Sequence, residues 1–183
     1  MTRMMHLFLG FLLASALVLP ARAAVNDSAA NGFSVVETAH IAAMPDKVYA
    51  ALITPSRWWS SSHTFSHDAA NLSLDATAGG CWCEKLPDQG TVQHLVVVHA
   101  VPGHSLLMRG ALGPLQGLGV NGAMTITLKP AADGTDLSLT YNVGGYLKDG
   151  LASWASPVDS VLAEQVVRLK SFVETGAPLA KSH

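Results

Sequence analysis

Two alternating segments and one helical stripe organise the second half of the chain. Met124, Ile126 and Leu128 alternate with Thr125 and Thr127, and Leu137, Leu139, Tyr141 and Val143 alternate with Ser138, Thr140 and Asn142. A period of two with one apolar and one polar face predicts neighbouring strands of a sheet solvated on one side. Beyond them the period changes. Val158, Val161, Leu162, Val166, Leu169, Phe172 and Val173 recur at helical spacing, so 157–174 is predicted as one long helix. Ser156 is its expected N-cap, with Pro157 at the first helical position and Asp159 completing an S-x-x-D capping pattern. Glu164 stands one turn before Arg168, Lys170 lies near the end, and Gly176 marks the stop. A stripe that wide needs a large apolar surface to lie on.

The first half supplies the rest of that surface. Residues 33–41 alternate as a strand, and 45–53 have helical character through Val48 and Leu52. Thr54-Pro55 interrupts before Arg57-Trp58-Trp59, and the Ser- and His-rich 60–70 reads as a loop. Leu72 and Leu74 begin a run of strands that continues through 81–86, 91–101 and 105–110, separated by Gly79-Gly80, 87–90 and Pro102-Gly103. Short turns favour an antiparallel meander. One strand, a short helix, many strands and a long helix predict an α+β fold in which a curved sheet grips the last helix around a cavity. Segments 111–120 and 145–155, apolar and without alternation, are either the cavity's mouth or plain hydrophobic turns. There is no internal repeat and no second domain.

The beginning of the chain has a different logic. Arg3 precedes the almost wholly apolar 7–20, and Ala21-Arg22-Ala23 fits an A-x-A cleavage site. Residues 1–23 are therefore expected to be a secretory signal peptide, too short in its apolar core to span a bilayer comfortably. The mature start is expected at Ala24, followed by a flexible lead over 24–32, one domain over 33–176 and a tail over 177–183. The location is then periplasmic or secreted, with no stable membrane anchor after cleavage. Loss of Arg3 and Arg22 takes the basic residues from 11 to 9 against 13 acidic ones, for a net charge of −4. Scattered basic residues leave no footprint for nucleic acid. Export also argues against nucleotide partners and cofactors, so no cofactor is expected.

Taken together, the mature segment resembles the START/Bet v 1-like superfamily, also called SRPBCC, which includes polyketide cyclase/dehydrase and lipid-transport proteins. The likeness is carried by the opening strand with Pro45-Asp46-Lys47-Val48-Tyr49, by Trp58-Trp59, by Gly79-Gly80-Cys81-Trp82-Cys83-Glu84, and by the meander and closing helix. It is similar in particular to the branch related to the activator of the Hsp90 ATPase. The resemblance implies a helix-grip fold: a seven-stranded antiparallel curved sheet wrapped around a long C-terminal helix, with two short helices after the first strand and an apolar cavity. It also implies a small apolar or lipid-like ligand or, in a minority of members, cyclisation or dehydration chemistry.

Several groups of residues are candidates for that chemistry. Cys81 and Cys83, two apart in a strand, lie ~6.6 Å apart on one face, at the outer limit for a disulfide. Two free thiols or a strained, reducible bridge are expected, a soft-metal site is the weaker alternative, and small buried hydrophobes are the plain reading. Trp82 and Glu84 share the opposite face. If it faces inward, Glu84 beside an indole gains a raised pKa and serves as general acid or base. His94 and His99 lie on opposite faces of one strand, so at most one lines the cavity. His63 and His67 have i, i+4 spacing without helical context and read as surface residues. Trp59, Trp82, Tyr141 and Met124, with Glu84, are the candidate ligand contacts. Gly117-Leu118-Gly119-Val120-Asn121-Gly122 spells a dinucleotide fingerprint, but the alternation that follows it is a strand's, which excludes that reading.

The functional expectation is an exported binding protein for a small apolar molecule. The alternative is a cyclase- or dehydratase-like enzyme using Glu84 with His94 or His99, and the weaker alternative is thiol redox at Cys81 and Cys83.

Overall fold

The computed structural model describes residues 24–179; the expected signal segment and residues 180–183 lie outside them. Strands β1 (Ala24–Ala29) and β2 (Gly32–Ile41) form a hairpin, followed by helix α1 (Pro45–Leu52). After a long connection come β3 (Leu72–Leu74), β4 (Cys81–Lys85), β5 (Thr91–Val101), β6 (Ser105–Arg109), β7 (Gly119–Ala131) and β8 (Gly134–Tyr146). Helix α2 (Ala155–Thr175) closes the chain. All neighbours pair antiparallel in a single sheet of order β1-β2-β8-β7-β6-β5-β4-β3. The helix-grip arrangement is present, with eight strands rather than seven.

The added strand is β1. A flexible lead over 24–32 is replaced by Ala24–Ala29 paired to β2 through a bulge between Val25 and Asp27. Its side chains are exposed where described, so backbone pairing rather than burial holds it. Of the two short helices expected after the first strand, one is α1 and the other only a 3₁₀ turn, Pro55–Arg57. β7 and β8 run longer than their alternation implied, because Gly119 pairs with Tyr146 and glycines present no face to read. At Gly122 an added Cβ would come within 2.5 Å of the Tyr141 ring, so the strand needs a glycine there to let that ring lie flat.

The closing helix begins earlier than the capping pattern suggested. The 3₁₀ turn Ala152–Trp154 feeds straight into Ala155, and no side chain caps the helix. Pro157 falls within the first turn, where backbone N–H groups have no helical partner, so its missing donor costs nothing. Ser156 does not cap; its carbonyl accepts from Ser160 Oγ. Gly176, with φ 82°, stops the helix in the left-handed conformation. The apolar stripe divides. Leu162, Val166, Leu169 and Val173 are buried, while Phe172 lies under the Arg57 guanidinium at 5.1 Å. Arg168 donates to the carbonyl of Trp58, and Glu164 bonds His63.

Candidate functional site

A cavity of about 390 Å³ opens beside the first turns of α2, against the β3–β5 end of the sheet. Trp82 and His94 form its sheet wall, and Pro157, Val158, Val161 and Leu162 its helix wall. The connection 59–65 and the 3₁₀ turn Gly113–Gly117 complete it, so segment 111–120 does contribute lining residues, Leu112 to Leu115. Its surface is mostly apolar, and its size falls within the range of small-molecule sites.

His94 is the residue whose position requires explanation. On β4, Cys81, Trp82 and Cys83 pair with Val96, Leu95 and Gln93, so His94 has no partner. It is the extra residue of a β-bulge, and a bulge re-aims side chains. That is why His94 and Leu95, adjacent in sequence, are both buried. His99 lies beyond a second register shift and is exposed, away from the cavity.

Behind His94 lies Glu84, 1% exposed. His94 Nε2 is 2.9 Å from Glu84 Oε2. The backbone N–H of Phe65 donates to Oε2 at 3.2 Å, and that of Ser66 makes a short bond to Oε1. Burial opposes the charge, but the hydrogen bonds from Ser66, Phe65 and His94 outweigh it and hold the carboxyl below its ordinary range. The expected raised pKa at Glu84 is thus reversed. Glu84 is not a cavity-lining acid but an ionised anchor behind the wall, because it is buried among donors rather than against an indole alone. With Glu84 ionised, Nε2 carries the proton and donates it. Nδ1 has no hydrogen-bond partner among the described residues, so it is the ring nitrogen left to meet a ligand. Phe65 stacks on the ring at 5.9 Å.

The connection carrying Phe65 is pinned along its length. Arg168 holds the Trp58 carbonyl at 2.8 Å, and the buried Gln165 accepts from the N–H of Ser60 at 2.9 Å. Trp59, which lines the cavity, donates to the His63 carbonyl and packs edge-on against Trp82 at 5.0 Å. His63, expected as a plain surface residue, is half-buried: it lines the cavity with Nε2 3.0 Å from Glu164 Oε2. His67 is exposed. The His63–Glu164 contact spans 101 residues and has no local signal in the sequence.

Two candidate contacts stand elsewhere. Tyr141 is fully buried, and its hydroxyl donates to the Gly110 carbonyl and accepts from the N–H of Leu112. Burial pushes that phenol up to about 12. Tyr141 clamps the segment that becomes the cavity's Leu112–Leu115 wall, without itself lining it. Met124 is buried in the core behind the cavity, beside Trp82 and Leu139. Cys81 and Cys83 are bridged, with Cα atoms 5.4 Å apart, so of the two expected states, free thiols or a bridge, the bridge is the one present. β4 is contracted there relative to a regular strand, which removes the distance objection. Among the described residues no cluster of three or more His, Cys, Asp or Glu is placed to hold a metal ion.

On the other side of α2, the sequence reading missed a second buried carboxyl. Glu37 lies on the inward face of β2 with Phe33 and Val35, 2% exposed, beside the Asp159 carboxylate. Burial and the adjoining carboxylate push it up to about 8. Strict alternation over 33–41 marks Glu37 as inward, so that signal was present.

Residues 32–174 match the family model for polyketide cyclase / dehydrase and lipid transport. The chain belongs to this family. Its sheet-and-helix fold recurs in solved structures of low sequence identity. DynU16, a protein of the dynemicin biosynthetic locus, shares 25% identity over 79% of this chain and 48% of its own, with a TM-score of 0.53. CalU16 from Micromonospora echinospora shares 16% over 81% of this chain and 78% of its own, with a TM-score of 0.53. The Aha1 dimer from Colwellia psychrerythraea shares 17% over 78% of this chain and 97% of its own, with a TM-score of 0.55. No curated protein matches the chain.

Proposed function

We propose that this family member binds a small, largely apolar molecule in the cavity between sheet and α2, oriented by a hydrogen bond to His94 Nδ1. One observation carries the reading: an apolar cavity of about 390 Å³ whose sheet wall holds a single imidazole, fixed from behind by an ionised carboxylate. Burial of apolar surface supplies the affinity, at about 25 cal/mol per Å², and the imidazole supplies orientation. Because Nε2 is committed to Glu84, Nδ1 is the ring nitrogen left for the ligand, and a neutral ring accepts there from a ligand hydroxyl or other donor. Titration with the fluorescent probe 1-anilinonaphthalene-8-sulfonate tests this. Saturable binding at one site is expected, and it is lost in Val161→Trp, which fills the cavity. Equal binding by that variant would overturn the reading.

The same dyad favours a second reading, a cyclase- or dehydratase-like enzyme. A carboxylate holding one ring nitrogen protonated leaves the other as a general base, the logic of a catalytic dyad. Turnover of an enolisable substrate retained by His94→Gln would exclude it.

We also propose that the protein is exported after cleavage before Ala24. The apolar 7–20 and the Ala21-Arg22-Ala23 site support this, as does the disulfide, which belongs to an oxidising compartment. Cleavage there keeps every described strand of the sheet. The mass of the protein from the exported fraction decides it.

A further inference from the structure

Two imidazoles line the cavity, and they are held alike from different walls. His94 enters from β5, and His63 enters from the connection, at the end of the 3₁₀ turn Ser61–His63. Each ring commits Nε2 to a glutamate that does not itself line the cavity: His94 to Glu84 at 2.9 Å, and His63 to Glu164 of α2 at 3.0 Å. In both cases the carboxylate stands behind the ring, so the side carrying Nδ1 is the one left to a ligand. Neither Nδ1 has a hydrogen-bond partner among the described residues. His63 is also fixed through its backbone, since Trp59 Nε1 donates to its carbonyl at 3.0 Å. The two points differ in depth. The His94–Glu84 pair is buried, whereas the His63–Glu164 pair is half-buried.

The rest of the lining narrows what can meet them. The hydroxyls of Ser62 and Thr64 are engaged within the connection, with Ser60 Oγ and with the Ser61 carbonyl. Among the described residues no Lys, Arg, Asp or Glu lines the cavity, so a charged head group finds no fixed counter-charge to offset its desolvation. Trp59 and Trp82 meet edge to face at 5.0 Å, and Phe65 and Trp154 add further aromatic surface. Such walls favour a ring that can stack or meet them edge-on.

We propose that His63 is a second polar contact of this site and that the ligand is an uncharged aromatic molecule with two hydroxyl groups, one for each imidazole. This rests on the binding reading above and adds to it the class of ligand. A hydroxyl both donates and accepts, so it pairs with Nδ1 whichever state the ring is in. The hydroxyl on His94 lies deep, and the one on His63 lies at the outer point, so the pair fixes which end of the molecule enters first.

The test titrates naphthalene, 2-naphthol and the 1,5-, 2,6- and 2,7-dihydroxynaphthalenes by their own fluorescence, with 2-naphthoate as the charged comparison. In the wild type, 2-naphthol is expected to bind tighter than naphthalene and the best diol tighter than 2-naphthol, by roughly three- to tenfold at each step, the net value of one hydrogen bond. His63→Phe keeps a ring in the wall and should abolish the advantage of the diol while leaving that of 2-naphthol. The wild-type ranking needs no variant, so it decides the question even if His63→Phe fails to fold. The proposal is overturned if no diol exceeds 2-naphthol, if His63→Phe retains the diol's advantage, or if 2-naphthoate binds tighter than every diol. Failure of the whole series to saturate overturns the binding reading itself, and this inference with it. Saturable binding of 2-naphthol with no gain from a second hydroxyl overturns this inference alone.

Discussion

Two glutamates lie on the inner face of the same sheet, one on each side of α2, and burial treats them oppositely. Glu84 is 1% exposed and Glu37 2%. Glu84 receives two backbone N–H groups and an imidazole and is held below the ordinary carboxylate range. Glu37 faces apolar residues and a second carboxylate and is pushed up to about 8. The degree of burial is the same, so the donors decide the charge. The ionised glutamate stands where the cavity is, and the protonated one stands in packing between sheet and helix.

The sharpest way to break this contrast is to remove the anchor. Glu84→Ala leaves the His94 imidazole and two backbone donors without their partner, and is expected to cost about 3–5 kcal/mol, as for other broken buried pairs. Denaturant titration measures it, and probe binding should vanish in the same variant because the 59–66 wall is released. The pH dependence has a definite sign. A lowered folded pKa means that the unfolded chain binds more protons, so this stabilisation is complete above the unfolded value of 4.5 and is lost as pH falls through the folded value. Glu84→Gln should therefore flatten the acid limb of the stability profile. An unchanged acid limb would show that Glu84 does not carry the charge assigned to it.

Glu37 predicts the opposite slope. Its folded pKa is raised from 4.5 to about 8, so the folded state keeps a proton that the unfolded state has released. Stability is fully present below 4.5 and falls as pH rises to about 8, where it levels off. Glu37→Gln, neutral at all pH, should remove that decline and be more stable than wild type at pH 8. Thermal melts at pH 5 and pH 8 check it; parallel profiles for both proteins would place the proton elsewhere.

The two glutamates also show what a sequence can and cannot disclose. The inward position of Glu37 follows from period-two alternation alone, as does that of Trp82 with Glu84. The long helix was legible because its stripe obeys one period over five turns, though its start was not, since a 3₁₀ turn substitutes for a side-chain cap. β1 left no pattern, because it is held by backbone pairing and buries little. What alternation misreads are the places where register breaks. His94 faces inward only through a bulge, and the donors that ionise Glu84 come from backbone 18 and 19 residues away, whose side chains carry no signal. The chemistry of the site resides in those irregularities, as is common where bulges and loops meet a binding surface.

A smaller effect sharpens the contrast from a third carboxylate. Glu164 on α2 meets His63 at 3.0 Å, but both side chains are about 30% exposed, at 29% and 30%. Water screens the pair, so its contribution belongs to the range of about 0–1 kcal/mol measured for exposed ion pairs. His63→Ala is expected to leave stability nearly unchanged, because the wall it belongs to is already pinned by Gln165, Arg168 and Glu84. Its consequence should be confined to the cavity, where removing the imidazole enlarges the space beside Val161 and alters probe affinity without moving the melting temperature. A double-mutant cycle with Glu84→Ala separates the two roles. If the anchor and the rim act independently, the stability changes add. If they couple by more than about 0.5 kcal/mol, the 59–66 wall behaves as one unit, and the half-exposed pair contributes to holding the buried one.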